Sequence, residues 1–205
     1  PIAQTADMLL MESRKNGIQS FVNALEKPPV TGRVGAIVMN CDPFTLGHRY
    51  LIETASKQVD RLHVILVKED KSVFPFSVRY RLVKETVADL ENVMVHEGSA
   101  YVLSAATFPN YFIKEPSAVA ITQIQLDLDL FANNIAPALG ATVRFVGSEP
   151  FDALTSDYNR LMEEVLPAHG IELRVIERKT QNSIPISASL VRDLLAEGKH
   201  EEAFA

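Results

Sequence analysis

The chain has 205 residues, 47% hydrophobic and 22% charged, which is room for one domain with a real core and too apolar for wholesale disorder. A net charge of −6 argues against a nucleic-acid groove, though not against a small anion held by local donors. The single cysteine, Cys41, excludes an intrachain disulfide and a four-cysteine zinc site, and no apolar run is long enough to cross a bilayer.

Residues 1–31 read as a helical lead-in, with Met8, Leu9, Met11, Ile18, Phe21, Val22 and Leu25 partly in helical phase over 5–26. The stretch lacks a basic n-region and the chain opens on Pro1, so it reads as the remnant of a longer protein and not as a signal peptide; a reducing, cytoplasmic setting is expected. The segment KPPVT at 27–31 breaks that element. From 32 to 205 the pattern is that of one α/β domain. Residues 32–40 (GRVGAIVMN) are apolar on both faces and β-branched, as a buried parallel strand requires. A helix over 46–57 follows, expected to bury Tyr50, Leu51 and Ala55. Strand two spans 61–69, its helix 74–90, and a short third strand 92–98. Residues 103–111 read as a loop or short helix pieces around Pro109, and 117–139 as a helix. Strand four spans 141–147, a helix 153–166, strand five 171–177, and a final helix 187–197. Alternating strands and helices call for a five-stranded, mostly parallel sheet with helices on both faces. Ligands in such sheets bind outside the carboxyl ends of the strands, where strand order reverses. The unusual residue clusters of this chain all fall at such ends.

The first cluster, NCDPFTLGH at 40–48, joins strand one to a helix. Thr45 can cap that helix, Gly47 lets a ligand approach the backbone, and His48 lies in the first turn, where unpaired N–H groups and the helix dipole favour phosphate. It is neither the dinucleotide fingerprint nor a P-loop. The second cluster, ISASLVR at 186–192, offers Ser187, Ser189 and Arg192 at a helix start, a grip for a triphosphate or simply an N-cap and a solvated arginine. A looser group comprises Lys68, Lys71, Arg79 and Arg81 around the end of strand two, and GSEPF at 147–151 after strand four. His63 reads as packed within its strand; His96, His169 and His200 read as isolated. Cys41 has no histidine pair beside it and reads as core packing.

Residues 45–48 (TLGH) resemble the HxGH signature of the nucleotidyltransferase superfamily, and 186–192 its ISxSxxR segment. That superfamily includes phosphopantetheine and nicotinamide-mononucleotide adenylyltransferases and class I aminoacyl-tRNA synthetases. AIVMNCDPFTLGHRYLIETAS, KEDKSVFPFSVRYRLVKE, SAATFPNYFIK and VGSEPFDALTSDYNRLM are similar, more narrowly, to the carboxyl-terminal catalytic domain of the citrate lyase ligase family. The resemblance covers roughly residues 32–197 and implies a Rossmann-like nucleotidyltransferase fold. It implies use of ATP and acetate to acetylate the thiol of the dephospho-coenzyme-A-like prosthetic group on the citrate lyase acyl-carrier subunit, giving AMP and diphosphate. It also implies an additional amino-terminal region in the full family protein.

Carried over residue by residue, the resemblance gives His48 the phosphates and the charge that develops as diphosphate leaves. Thr45 stands where many relatives have a first histidine; its hydroxyl can donate but brings no imidazolium charge. Asn40, Asp42 and Phe44 line the pocket with Gly47, and Arg81 matches the arginine on the helix after strand two. Ser187, Ser189 and Arg192 bind the outer phosphates, and Gly147 and Glu149 face the nucleotide. Mg²⁺ rides on the ATP phosphates, with no protein metal site. Lys68, Lys71, Lys114, Phe108, Tyr111 and Phe112 are a patch for the prosthetic group. Two other readings stay open: adenylyl transfer to a phosphate-bearing acceptor such as phosphopantetheine or nicotinamide mononucleotide, and a nucleotide-binding module without turnover.

Overall fold

The structure, a computed structural model, describes residues 1–68, 72–104, 108, 117–149, 153–182 and 184–204. Its centre is a five-stranded sheet in which every neighbouring pair is parallel. We number the strands in chain order. A short antiparallel hairpin, β1 (Ala3–Gln4) and β2 (Leu9–Leu10), precedes the sheet. The sheet strands are β3 (Val34–Met39), β4 (Arg61–Leu66), β5 (Val93–Glu97), β6 (Val143–Gly147) and β7 (Glu172–Ile176), in spatial order β5-β4-β3-β6-β7. A second hairpin, β8 (Thr180–Gln181) and β9 (Ile184–Pro185), follows β7.

The strands form where β-branched and apolar residues run unbroken, because both faces of the sheet are covered. One face packs Ile37, Met39, Val64, Val143 and Phe145 under α2 (Leu46–Ser56) and α3 (Phe76–Thr86). The other packs Ala36, Ile65 and Val67 under α1 (Gly17–Ala24), α4 (Ala118–Leu130), α5 (Ala136–Leu139) and α6 (Ala153–Ala168). A π-helical turn, Phe131–Ile135, joins α4 to α5, so the helix expected over 117–139 is continuous through it. The chain closes with α7 (Ala188–Ala196) and α8 (His200–Phe204), packed on each other. No helix among the described residues is long and apolar enough to cross a membrane.

The amino-terminal segment departs from the expectation. Helix is confined to Gly17–Ala24, and residues 3–10 form the hairpin. The Thr5 hydroxyl accepts the Met8 and Asp7 N–H groups at 3.0 and 3.3 Å, closing a tight turn. Asn16 takes a left-handed φ of 55°, which stops a helix from running through it. Leu9 and Met11, counted as core by periodicity, are exposed. Ala3, Ile18, Val22 and Leu25 nonetheless join the main core, so the lead-in is built into the domain. On α2 the buried residues are Ile52, Ala55 and Ser56; Tyr50, expected inside, is exposed.

The chain leaves β3 toward β4 and β5, then returns to lay β6 and β7 on the other side of β3. Strand order therefore reverses between β3 and β6. These two strands pair only at Gly35↔Val143 and Ala36↔Arg144, whereas β3 and β4 pair over six positions. Beyond Ala36 no pairing joins the two strands, and the carboxyl ends of β3 and β6 flank the crevice expected at such a reversal.

Candidate active site

The loop leaving β3 forms one wall of the crevice. Cys41 carries a left-handed φ of 55° and is buried, and burial pushes its thiol far above the ordinary range. That suits the packing role expected of it. The loop is held by two reciprocal contacts. The Asp42 carboxylate accepts the backbone N–H groups of Val73 and Phe74 at 3.0 and 2.8 Å. In return Arg79, wholly buried on α3, donates to the carbonyl of Asn40, to Asn40 Oδ1 at 3.2 Å, to the Val67 carbonyl at 3.2 Å and to the Phe74 carbonyl at 3.0 Å. One guanidinium thus fixes the ends of β3 and β4 and the approach to α3, using the planar fork that only arginine offers.

Thr45 is the N-cap of α2. Its hydroxyl accepts the His48 N–H at 3.4 Å, and His48 Nδ1 accepts the Thr45 N–H at 3.1 Å. This is a capping box closed by histidine in place of the usual glutamate or glutamine. A backbone N–H can only donate, so Nδ1 carries no proton and the proton of the neutral ring sits on Nε2. The Thr45 hydroxyl reinforces this from 2.9 Å, and the ring stacks on Phe44 with centroids 5.7 Å apart. Burial, and then the positive charge of Arg178, pull the His48 pKa down to about 4. At neutral pH His48 is an uncharged donor with its tautomer fixed.

The hairpin β8–β9 carries the second signature to the first. Ile186 N–H donates to the Lys179 carbonyl at 3.0 Å, and the Ile186 carbonyl lies against Gly47. A Cβ at Gly47 would stand 3.2 Å from that oxygen, so any other residue would press the two segments a few tenths of an ångström apart. Ser187 caps α7 by accepting the Leu190 N–H at 3.1 Å. Arg192 donates to the Asp42 carbonyl and, at 3.1 Å, to Ser189 Oγ. Asp42, Gly47, His48, Ser189 and Arg192 are therefore one assembly, spanning both signatures.

The opposite wall is the end of β6. Gly147 has nothing within 4 Å of where a side chain would begin, so its α-carbon faces open space. Glu149 forms an ion pair with Arg178, whose Nε also donates to the Ser148 carbonyl at 2.6 Å. The Ser148 hydroxyl accepts the Arg178 N–H at 3.2 Å and donates to Glu177 at 3.0 Å.

Not every expected residue lies here. Arg81 is exposed; the arginine beneath the loop is Arg79, two positions earlier and on the opposite side of α3. Phe108 is wholly buried, so it cannot belong to a surface patch. Lys68 is exposed, paired with Glu97 at 3.4 Å and set over the Phe76 ring. Lys71, Lys114, Tyr111, Phe112, Pro150 and Phe151 lie outside the described residues. His63 is buried as expected, but His96 is not isolated: its Nε2 meets His63 Nδ1 at 2.8 Å. Arg178 belongs to neither sequence cluster, although it lies two residues past the fifth sheet strand, at a carboxyl end like them. Among the described residues no three His, Cys, Asp or Glu side chains gather to hold a metal ion.

Residues 34–204 match the family of the citrate lyase ligase C-terminal domain. The citrate (pro-3S)-lyase ligase of Klebsiella pneumoniae is 45% identical over 200 residues, covering 95% of this chain and 58% of that protein. The protein of the same name from Escherichia coli (strain K12) is 47% identical over 195 residues, covering 92% and 55%. The chain thus spans somewhat over half the length of these curated relatives. The pantoate-beta-alanine ligase of Francisella tularensis, solved with beta-gamma ATP and beta-alanine, shares the fold at TM-score 0.52 and 14% identity, over 90% of this chain and 75% of that one. With its match running from the first strand of the central sheet through both signatures to α8, the chain belongs to the citrate lyase ligase C-terminal domain family.

Proposed function

We propose that this domain activates acetate with ATP to acetyl-adenylate, releasing diphosphate, and then transfers the acetyl group to the thiol of the citrate lyase acyl-carrier prosthetic group. The observation that supports the reading is the junction at Gly47 and Ile186, which brings the segments carrying His48 and Arg192 together at the strand-order reversal, in a chain of this family.

In the first half-reaction an acetate oxygen attacks the α-phosphorus in line. The bond from that phosphorus to the bridging oxygen breaks, and diphosphate leaves with the electron pair. Acetate is already ionised near neutral pH, so no general base is needed. The chain's part is to position and to neutralise. The first N–H groups of α2 face the phosphates, His48 donates from Nε2, and Arg192 carries fixed charge with Ser189 beside it. Mg²⁺ would be carried on the phosphates and would offset their charge. In the second half-reaction the thiol gives up its proton to solvent, its sulfur attacks the acetyl carbonyl carbon, and AMP departs with the electrons of the mixed-anhydride bond. The carrier subunit and its dephospho-coenzyme-A-like group are the partners this step requires.

The test is mass-spectrometric detection of acetyl-adenylate after incubation with ATP, Mg²⁺ and acetate, with diphosphate release measured in parallel. Acetate-dependent release supports the proposal. Release that requires phosphopantetheine or nicotinamide mononucleotide instead of acetate would replace it with adenylyl transfer. Tight ATP binding with no release under any of these conditions would leave only a nucleotide-binding module.

A further inference from the structure

We propose that Arg178 is a phosphate-contacting residue of this site, the fixed cation that works beside His48. The inference rests on the ATP-binding reading above and adds to it a residue that neither signature contains.

Its position carries the argument. Arg178 lies two residues past the end of β7, on the carboxyl edge of the sheet. The next residue, Lys179, bonds Ile186, and Ile186 is the residue that touches Gly47. Arg178 therefore sits one residue from the junction of the two signatures. Its guanidinium is oriented in advance: Nε is anchored on the Ser148 carbonyl at 2.6 Å, and Nη2 rests on Glu149. Nη1 has no hydrogen-bond partner among the described residues, and the side chain is 26% exposed. Its positive charge reaches His48, where it adds to burial in lowering the ring's pKa.

The site needs such a group. His48 holds its single ring proton on Nε2 and supplies a donor without charge. Thr45 supplies a hydroxyl. Arg192 already spends donors on the Asp42 carbonyl and Ser189 Oγ. Arg79 is buried beneath the loop. A triphosphate carries several negative charges, and charge-assisted bonds from a planar guanidinium hold it better than neutral donors do. Glu149 occupies Nη2 at rest, and the more highly charged triphosphate competes with it, while the Nε anchor keeps the fork aimed.

Calorimetric titration of ATP and of AMP into the wild-type chain, R178Q and R178K tests this, without acetate. AMP lacks the outer phosphates and serves as the control. R178Q should weaken ATP binding by roughly 10- to 100-fold, the effect of losing a charged hydrogen-bond donor. AMP affinity should change by less than about threefold, and R178K should recover part of the loss. A second readout is the NMR pH titration of His48, whose midpoint should rise in R178Q once the neighbouring positive charge is gone. Unchanged ATP affinity in R178Q, equal weakening of ATP and AMP, or an unmoved His48 midpoint would each overturn the assignment. A wild-type chain that binds ATP yet releases no diphosphate with acetate would sink acetate activation and leave the Arg178 comparison standing.

Discussion

Replacing Arg79 by methionine should cost both stability and nucleotide affinity, and the structure sets the size. The guanidinium is fully buried and serves three backbone carbonyls on three segments, those of Asn40, Val67 and Phe74. A buried acceptor deprived of its donor costs about 1–3 kcal/mol. Val67 is buried and should bear the full penalty, roughly 2–3 kcal/mol. Asn40 and Phe74 are half-buried, where water can take over in part, at about 0.5–1 kcal/mol each. The sum is about 3–5 kcal/mol, a large share of the stability of an ordinary domain. Lysine at the same position reaches one or two of these carbonyls and should restore about half. Urea unfolding followed by circular dichroism, with the m-value held as a check on two-state behaviour, gives the stability. ATP titration under native conditions shows whether the loop from Asn40 to His48 has lost its seat. A loss below about 1 kcal/mol together with unaltered ATP affinity would refute the bolting role, because it would mean that the three carbonyls find partners without the guanidinium.

Other outcomes are equally specific. His48→Ala should lower acetate-dependent diphosphate release by roughly tenfold to a thousandfold, the range for losing one transition-state donor; unchanged turnover would remove His48 from the chemistry. Arg192→Ala should weaken ATP binding measured by titration, and equal affinity would count against the grip of the second signature. Gly47→Ala places a methyl group 3.2 Å from the Ile186 carbonyl and should push the two signatures apart, raising the KM for ATP while leaving the unfolding midpoint little changed; an unchanged KM would show that the junction tolerates looser packing. The buried His63–His96 pair predicts acid lability. Burial, with help from His96 and Arg61, holds the His63 pKa down to about 4, and burial lowers His96 as well. Between pH 6.5 and about 4 the unfolded chain binds protons that the folded chain refuses, so stability is fully present above that window and falls as the pH drops through it. Equal urea midpoints at pH 7 and pH 5 would contradict this.

The sheet was legible because its strands are buried on both faces and therefore read as unbroken apolar runs; each ends within a few residues of its expected bounds. The two clusters of the candidate site were legible because TLGH and ISASLVR are each contiguous in sequence, and the fold brings them together. What escaped depended on contacts between segments. Leu9 and Met11 are apolar yet exposed, so periodicity extended a helix into a hairpin. The pairing of His63 with His96 requires the register of β4 on β5, which no local pattern holds. The choice of Arg81 over Arg79 was a different kind of miss. Arg79, Val83 and Val87 follow each other at four-residue steps and form the inward face; Arg81 falls between them, on the other side. Helical phase alone could have settled it. The role of Arg178 needed the β8–β9 hairpin, which folds the chain back so that residues just after β7 lie beside a loop well over a hundred positions earlier.

The parting of β3 from β6 after only two paired positions has a thermodynamic side. Interstrand ladder bonds given up along that seam leave main-chain donors and acceptors that must be met by water or by a guest. The two flanks of the sheet are then sewn together at one end only, with α2 lying across β3, β4, β6 and β7 as the remaining cross-tie. A nucleotide bridging His48, Arg192 and the end of β6 would act as the missing stitch. Its binding energy would add directly to the cohesion of the sheet, so that saturating substrate raises the melting temperature and slows amide exchange on both sides of the seam together.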